Sequence, residues 1–177
     1  MPWMATSSFS TMMRMESSDK PLKTHFLYPA TLFADKEAHM VDTILGSCVA
    51  VCLYDPIKKI GCINHYMLPF WNGTGLASPK YGNIAIQKII DKMIEMGSNQ
   101  SNIQAKVFGG GEVVETKNNL FRIGERNIEI AINTLKENRI KITGQSVGGK
   151  SGRKIRFNTE SGVVLMKMIQ KYNHENG

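Results

Sequence analysis

The stretches TILGSCVAVCLYDP, residues 43–56, and GCINHYMLP, residues 61–69, decide the fold around the most reactive side chains of this chain. Both are rich in β-branched and other apolar residues, and Asp55-Pro56 between them is a turn signal. They predict two neighbouring strands. The residues between Cys48 and His65 divide almost evenly between these strands, so the pairing brings the two side chains side by side at one end.

A cysteine beside a histidine is a candidate nucleophile. A thiol with an ordinary pKa of about 8.5 is only about 3% thiolate at pH 7. An adjacent imidazolium favours the thiolate and leaves the histidine able to protonate a leaving group. The structural alternative is that Cys48 packs as a small apolar residue and His65 is a hydrogen-bonded core residue. Spacing alone leaves both interpretations open.

The chain has three cysteines, which raises the further alternative of a metal site. The spacing C-x3-C-x9-C-x2-H, which ends at His65, matches no common zinc-ligand pattern. We therefore expect Cys52, on the same strand face as Cys48, and Cys62 to be core residues. No metal and no cofactor are predicted. An odd number of cysteines without an export signal indicates a reducing compartment, and a cytoplasmic location is expected.

The segment GQSVGGKS, residues 144–151, satisfies the phosphate-loop pattern G-x-x-x-x-G-K-[ST]. That pattern binds phosphate only where a strand enters the loop and a helix leaves it. Here Gly152 and an alternating run follow, then a turn at Asn158–Gly162 and another β-branched run. We interpret the segment as a glycine-rich turn that leads into a hairpin.

The rest of the chain alternates between extended and helical patterns. Residues 25–33, 39–54 and 103–108 are extended-prone, while helical spacing of apolar residues predicts helices over 81–97 and 124–138. Ile128, Ile132 and Leu135 are expected on the inner face of the second helix. Mixed elements without strict βαβ alternation predict an α+β fold: a single domain of mixed β-sheets flanked by helices, residues 25–170. Residues 1–24 are predicted to be a disordered N-terminal tail and 171–177 a C-terminal tail.

Composition limits the class of partner. The formal net charge is +7, which favours an acidic partner, but the basic residues are dispersed and only 8% of residues are aromatic. No nucleic-acid-binding motif is present. No apolar run reaches the length of a membrane helix, so we expect no membrane insertion.

Six motifs in order resemble one known family. They are LGSCVAVCLYDP, NHYMLP, KYGN, AKVFGGGE, IGERNIEIA and VGGKSGRKIRF, spread over roughly residues 26–164. They resemble the chemoreceptor glutamine deamidase family called CheD. The resemblance implies a CheD-like cysteine hydrolase fold and a cytoplasmic enzyme that hydrolyses selected receptor glutamines to glutamate. It also implies a possible CheC-type phosphatase partner, and a non-catalytic or bifunctional regulator of that phosphatase is the alternative function.

The same resemblance assigns roles to three residues. Cys48 is similar to the family's nucleophile and His65 to its general acid/base. The family's third member is a threonine upstream of the cysteine, which corresponds here to Thr43. Thr43 stands five residues before Cys48, whereas some members have the threonine six residues before, where this chain has Asp42.

Other polar and glycine residues keep two interpretations each. Ser47 is a hydrogen-bond donor to the substrate or a turn residue, and Gly109–Gly111 form the floor of the site or a strand-to-loop turn. The remaining histidines are expected at the surface: His25, His39 and His174. Structural and docking roles are both open for four residues: Arg126, Asn127, Arg153 and Lys154.

Overall fold

The protein, described here by a computed structural model over residues 20–113 and 122–170, has three layers. A four-stranded and a five-stranded β-sheet pack face to face, and two helices cover the outer face of the five-stranded sheet. The strands are β1 (Lys23–Phe26), β2 (Thr31–Ala34), β3 (His39–Leu45), β4 (Val49–Asp55), β5 (Ile60–His65), β6 (Gln104–Gly109), β7 (Lys141–Val147), β8 (Arg153–Asn158) and β9 (Val164–Met168). The helices are α1 (Gly82–Glu95) and α2 (Ile123–Glu137), and a 3₁₀ turn covers Gln100–Asn102.

Both sheets are mixed. The four-stranded sheet has the order β1-β3-β8-β9, and the five-stranded sheet has the order β2-β5-β4-β6-β7. The pairs β1–β3 and β6–β7 are parallel, and the other pairs are antiparallel. The predicted α+β class with mixed sheets and helices is therefore confirmed.

The central strand β4 separates two cores, because its side chains alternate between the faces of the sheet. Val49, Val51 and Leu53 join the cluster under the helices, where α1 contributes Ile86 and Ile89. On the opposite face lies the cluster between the two sheets, formed by Leu27, Val41, Leu45, Ala50, Cys52, Ile63, Phe108, Ile155 and Phe157.

The chain passes from one sheet to the other at four places, after β1, β2, β3 and β7. The extended runs 25–33 and 39–54 are each divided in this way, between β1 and β2 and between β3 and β4. Backbone hydrogen bonds tie the crossover segments to the end of β6: Gly110 N to Cys48 O at 2.9 Å and Gly148 N to Gly109 O at 2.9 Å. The crossovers after β3 and β7 therefore meet at one end of the molecule.

Both predicted helices are present, but the inner face of α2 differs from the prediction. Its buried residues are Gly124, Asn127, Ile130, Ala131 and Leu135. Ile128 is half-buried and packs against the cluster under the helices, and Leu135 is buried, as predicted, whereas Ile132 is only half-buried. The periodicity of the apolar residues alone omitted Asn127, a polar residue whose burial is compensated by hydrogen bonds.

The segment 144–151 is a strand and a turn, as interpreted from sequence. β7 leads through the turn into strand β8, and β8 and β9 form an antiparallel hairpin. Gly162 N donates to Asn158 O at 2.9 Å, and Gly162 has a φ of 74°, which glycine adopts without strain. The phosphate-loop alternative fails because no helix leaves this loop.

The structure also differs from the sequence predictions at one boundary and at one residue expected on the surface. β1 begins at Lys23, inside the segment assigned to the tail, because Lys23 pairs with His39. His39 is buried, which corrects its assignment to the surface: its backbone N donates to Thr159 Oγ1 at 2.9 Å. His25 is exposed. The rest of the two tails, 1–19 and 171–177 with His174, lies outside the described residues. Within the described ranges no helix is long and apolar enough to cross a membrane.

Candidate active site

Cys48 and His65 lie at the same end of two paired strands. The register pairs Cys52 with Ile63, and an isolated bridge pairs Val49 with Tyr66. His65 is therefore a diagonal neighbour of Cys48 across the strand pair, and both side chains are on the face that meets the four-stranded sheet. Cβ atoms of such diagonal pairs are about 7 Å apart, which a thiol and an imidazole can span.

Thr43 comes from the other sheet and contacts the imidazole directly. Its Oγ1 lies 2.7 Å from His65 Nδ1 and 2.7 Å from the carbonyl oxygen of Leu27. The Leu27 carbonyl can only accept, so the single hydroxyl proton of Thr43 goes to it. His65 Nδ1 must then carry the proton that it donates to Thr43. The geometry selects the tautomer in which Nε2 has a free lone pair.

This lone pair faces the interior without a partner. Among the described residues, His65 Nε2 is buried and accepts no hydrogen bond. An unpaired buried nitrogen costs free energy, so its persistence suits a group that acquires a partner during a reaction. Of the candidate residues, Cys48 is the one whose proton this nitrogen could accept.

Burial sets the protonation state of the pair. It lowers the pKa of His65 to about 4, opposed by the Leu27 carbonyl. Burial also raises the pKa of the Cys48 thiol, opposed by its own backbone N–H. Both shifts oppose charge separation, so the pair is neutral at pH 7. Burial thus opposes the thiolate–imidazolium pair that the sequence pattern favours, and the spacing of the residues did not reveal this burial.

Glycines form the wall beside Cys48. Gly110 N donates to Cys48 O, and Gly111 N donates to Gly46 O, both at 2.9 Å. Gly109 has a φ of 107°, and a Cβ there would lie 2.2 Å from Cys48 O. Of the two interpretations of Gly109–Gly111, the structure therefore supports the one in which they shape the site, since only glycine permits this approach.

Arg153 anchors this wall from below. The side chain is 3% exposed, and its guanidinium donates to Ser146 Oγ, to Gly109 O and to Gly148 O. The last two bonds join the strand before the glycine wall to the turn after β7. Its role is therefore structural, whereas Lys154 is exposed on the outer face of β8.

Asn127 on α2, for which the sequence left structural and docking roles open, lies beside the site. It is fully buried, and its Nδ2 donates to Ser47 O and Met67 O, each at 3.0 Å. The Ser47 carbonyl directly precedes Cys48 in the chain, and the Met67 carbonyl lies two residues after His65. A polar residue on the apolar stripe of α2 was the available signal. Arg126, its neighbour, is exposed.

The remaining candidates are separated from this site. Cys52 is buried in the cluster between the sheets, as expected, and Cys62 in the cluster under the helices. Cys62 therefore lies on the opposite face of the sheet from Cys48, and the three thiols cannot converge on one metal ion. Asp42 pairs with Arg156 at 2.7 Å, and this bond lowers the pKa of Asp42. Thr43, not Asp42, is the neighbour of His65.

Comparison with known proteins identifies the family that this chain matches. A family model described as CheD chemotactic sensory transduction matches residues 67–168. The probable chemoreceptor glutamine deamidase CheD of Trichlorobacter lovleyi is 45% identical over 151 residues, which cover 85% of this chain and 94% of the relative. The relative of the same description in Sulfurimonas denitrificans is 46% identical over 147 residues, which cover 82% of this chain and 94% of the relative.

A search of solved structures finds a more distant likeness. The crystal structure of Bacillus licheniformis hypothetical protein YfiH is 17% identical, with a TM-score of 0.40. The likeness covers 72% of this chain and 61% of that chain.

Proposed function

Because this chain belongs to the CheD family, we propose that it is a protein-glutamine deamidase that hydrolyses side-chain amides of glutamines in chemotaxis receptors to glutamate. The observation that carries the proposal is the hydrogen bond of 2.7 Å between Thr43 Oγ1 and His65 Nδ1, with Nε2 left open. That arrangement is what a cysteine hydrolase requires of its base: a fixed ring, a defined tautomer and a free lone pair beside the nucleophile.

The first half of the reaction forms a thioester. His65 Nε2 takes the thiol proton as Cys48 Sγ attacks the carboxamide carbon. General-base catalysis fits the neutral resting pair, because proton transfer then accompanies attack instead of preceding it. The resulting imidazolium donates its Nε2 proton to the amide nitrogen, the C–N bond breaks, and ammonia leaves. Thr43 accepts from Nδ1 throughout and stabilises the charged ring.

The second half consumes water. His65 Nε2 takes a proton from a water molecule, whose oxygen attacks the thioester carbon. The C–S bond breaks, Cys48 recovers its proton, and the glutamate side chain is released. In both halves the developing oxyanion needs donors, and we propose the backbone N–H of Cys48, next to the nucleophile in the chain, as one of them.

The rim of the site suits a protein substrate. Tyr28 is 67% exposed in the segment where Ala30 N donates to His65 O, and Met67 is 36% exposed next to Tyr66. Phe70, 57% exposed, follows on the same loop. Exposed apolar side chains at a site's edge are typical of a surface that docks another protein. We propose that these residues contact the receptor segment that presents the glutamine.

The net charge of +7 would assist encounter with an acidic receptor surface. Turnover that does not change with added salt would contradict this part of the proposal. The three free thiols suit a reducing compartment, and we propose a cytoplasmic location.

Binding of a CheC-type phosphatase stays a prediction from the family resemblance. A regulatory contact does not need the thiol, so a Cys48→Ala variant should lose deamidation and keep phosphatase binding. If both are lost together in a folded variant, separate catalytic and regulatory roles are not supported.

Mass spectrometry of a receptor cytoplasmic fragment tests the function. Incubation with the protein should convert specific glutamines to glutamate, whereas Cys48→Ala should leave them intact. Cys62→Ala is the matched control, since Cys62 is a buried thiol on the opposite face of the sheet and its removal should leave the chemistry in place. Absence of conversion by the folded wild-type protein, with receptor from the same cell, would contradict the proposal.

A further inference from the structure

Asn127 links the two strand ends that carry the candidate nucleophile and base. Its Nδ2 donates at 3.0 Å to the carbonyl of Ser47 and at 3.0 Å to that of Met67. Both partners are carbonyls, which only accept, so the amide nitrogen and not the oxygen must face them. Among the described residues, Asn127 Oδ1 is buried without a partner, a cost that the two donated bonds must offset.

The Ser47 carbonyl belongs to the same peptide group as the backbone N–H of Cys48. In a planar trans peptide the C=O and N–H point in opposite directions. A bond that holds Ser47 O towards α2 therefore holds the Cys48 N–H pointing away from α2. Hydrogen bonding at the carbonyl also polarises the N–H of the same peptide group and strengthens it as a donor.

We propose that Asn127 is a positioning residue that orients the Cys48 N–H as the donor to the oxyanion of the deamidation reaction. This inference rests on the proposed function and names a residue outside the Cys48–His65–Thr43 set. Asn127 acts through the Ser47–Cys48 peptide and touches neither the substrate nor the thiol.

The attachment of α2 does not depend on this side chain alone. Tyr66 hydroxyl donates to the backbone carbonyl of Asn127 at 2.5 Å, a bond that any residue at 127 retains. Gly124 on the same helix packs against the carbonyl of Gly110, where a Cβ would lie 2.4 Å from the oxygen. Loss of the side-chain amide should therefore free the Ser47–Cys48 peptide while α2 stays in place.

The test compares two reactions of the same thiol. Deamidation needs a stabilised oxyanion, whereas alkylation of Cys48 by iodoacetamide displaces iodide and forms no oxyanion. For Asn127→Ala we expect kcat for a receptor fragment to fall about 10- to 100-fold, below the loss for removing an oxyanion donor outright. KM should stay within about twofold and the alkylation rate within about threefold, since substrate docking and the thiol are untouched.

Two controls separate this role from general destabilisation. Asn138→Ala removes an amide at the other end of α2, where Nδ2 donates to Thr134 O, and should leave both rates unchanged. Asn127→Ser keeps one short donor and replaces the alanine variant if that one does not fold. It should show the same separation of kcat from alkylation, with a smaller loss.

The outcomes are distinct. A selective fall in kcat supports the assignment. An unchanged kcat overturns it, as does a parallel fall in kcat and alkylation, because the side chain would then act on the thiol or on the whole fold. If neither Asn127 variant folds, the side chain has a structural role, and this outcome also overturns the assignment. If the wild-type protein itself does not deamidate the receptor fragment, the proposed function fails. That result differs from an active wild-type protein with an equally active Asn127→Ala variant, which overturns only the role of Asn127.

Discussion

Replacing Thr43 with valine removes one hydroxyl group and nearly nothing else. The two side chains have almost the same shape, so packing between β3 and β5 is preserved. What disappears is the acceptor for His65 Nδ1–H at 2.7 Å and the donor to Leu27 O at 2.7 Å. The ring loses the group that fixes its tautomer, and the form with a proton on Nε2 becomes accessible. That form cannot take a proton from Cys48.

The magnitude follows from the charge on the ring. His65 is neutral at rest but becomes an imidazolium when it takes the thiol proton, so the Thr43 bond is stronger in the transition state. Hydrogen bonds to charged groups contribute about 1.5–3 kcal/mol. That range corresponds to a loss of roughly 10- to 150-fold in kcat. The buried polar atoms left unpaired should also lower the free energy of unfolding by about 1–3 kcal/mol.

The assay is the initial rate of glutamate formation in a receptor fragment, with denaturant unfolding measured in parallel. Thr43→Ser keeps the hydroxyl and should retain most of the activity, while Thr43→Val should lose it with KM nearly unchanged. Folded Thr43→Val with a kcat within twofold of wild type would refute the role of this bond. Equal losses in the serine and valine variants would refute it as well, since the hydroxyl would then not be the group that matters.

Three further predictions concern pH and the supports of the site. His65 has a pKa of about 4 when folded and about 6.5 when unfolded. Its contribution to the free energy of unfolding should therefore be complete above about pH 6.5 and fall by roughly 3 kcal/mol as the pH approaches 4. Unfolding curves of His65→Gln should depend less on pH, and an equal dependence would contradict this. Gly109→Ala should destabilise the fold by about 1–3 kcal/mol more than Gly97→Ala, because their φ angles are 107° and 105° but only Gly109 faces a backbone atom at 2.2 Å; equal Tm shifts would be inconsistent with the contact. Arg153→Lys should cost about 2–4 kcal/mol of stability, since a single ammonium nitrogen cannot reach the three acceptors that the three guanidinium nitrogens contact, whereas the exposed Arg156→Lys should change Tm little; comparable shifts would show that the guanidinium bonds are unimportant.

Local sequence patterns predicted the parts of the site that lie on neighbouring strands. Continuous apolar runs and the Asp55-Pro56 turn specify β4 and β5, and the register then places Cys48 near His65. Thr43 could not be found this way. It lies on the other sheet, and its contact depends on the chain crossing between sheets after Leu45, which no local pattern encodes. Only the family resemblance identified Thr43 from sequence.

Burial accounts for the remaining differences. Asn127 occupies the inner face of α2, where a polar residue is normally excluded, because the carbonyls of Ser47 and Met67 satisfy its amide. Asn127 was missing from the predicted inner face of α2 for this reason. The desolvation of Cys48 and His65 could not be predicted either, since it depends on the packing of two sheets and not on the spacing of residues.

The most direct test of the account is the covalent state of Cys48 during turnover. The protein is mixed with a receptor fragment, quenched in acid within the first turnovers, digested and analysed by mass spectrometry. We expect a thioester between the Cys48 peptide and a receptor glutamine side chain, formed with release of ammonia and absent in Cys48→Ala. Glutamate formation that continues in Cys48→Ala, with no adduct on the wild-type thiol, would contradict the role of Cys48 as nucleophile.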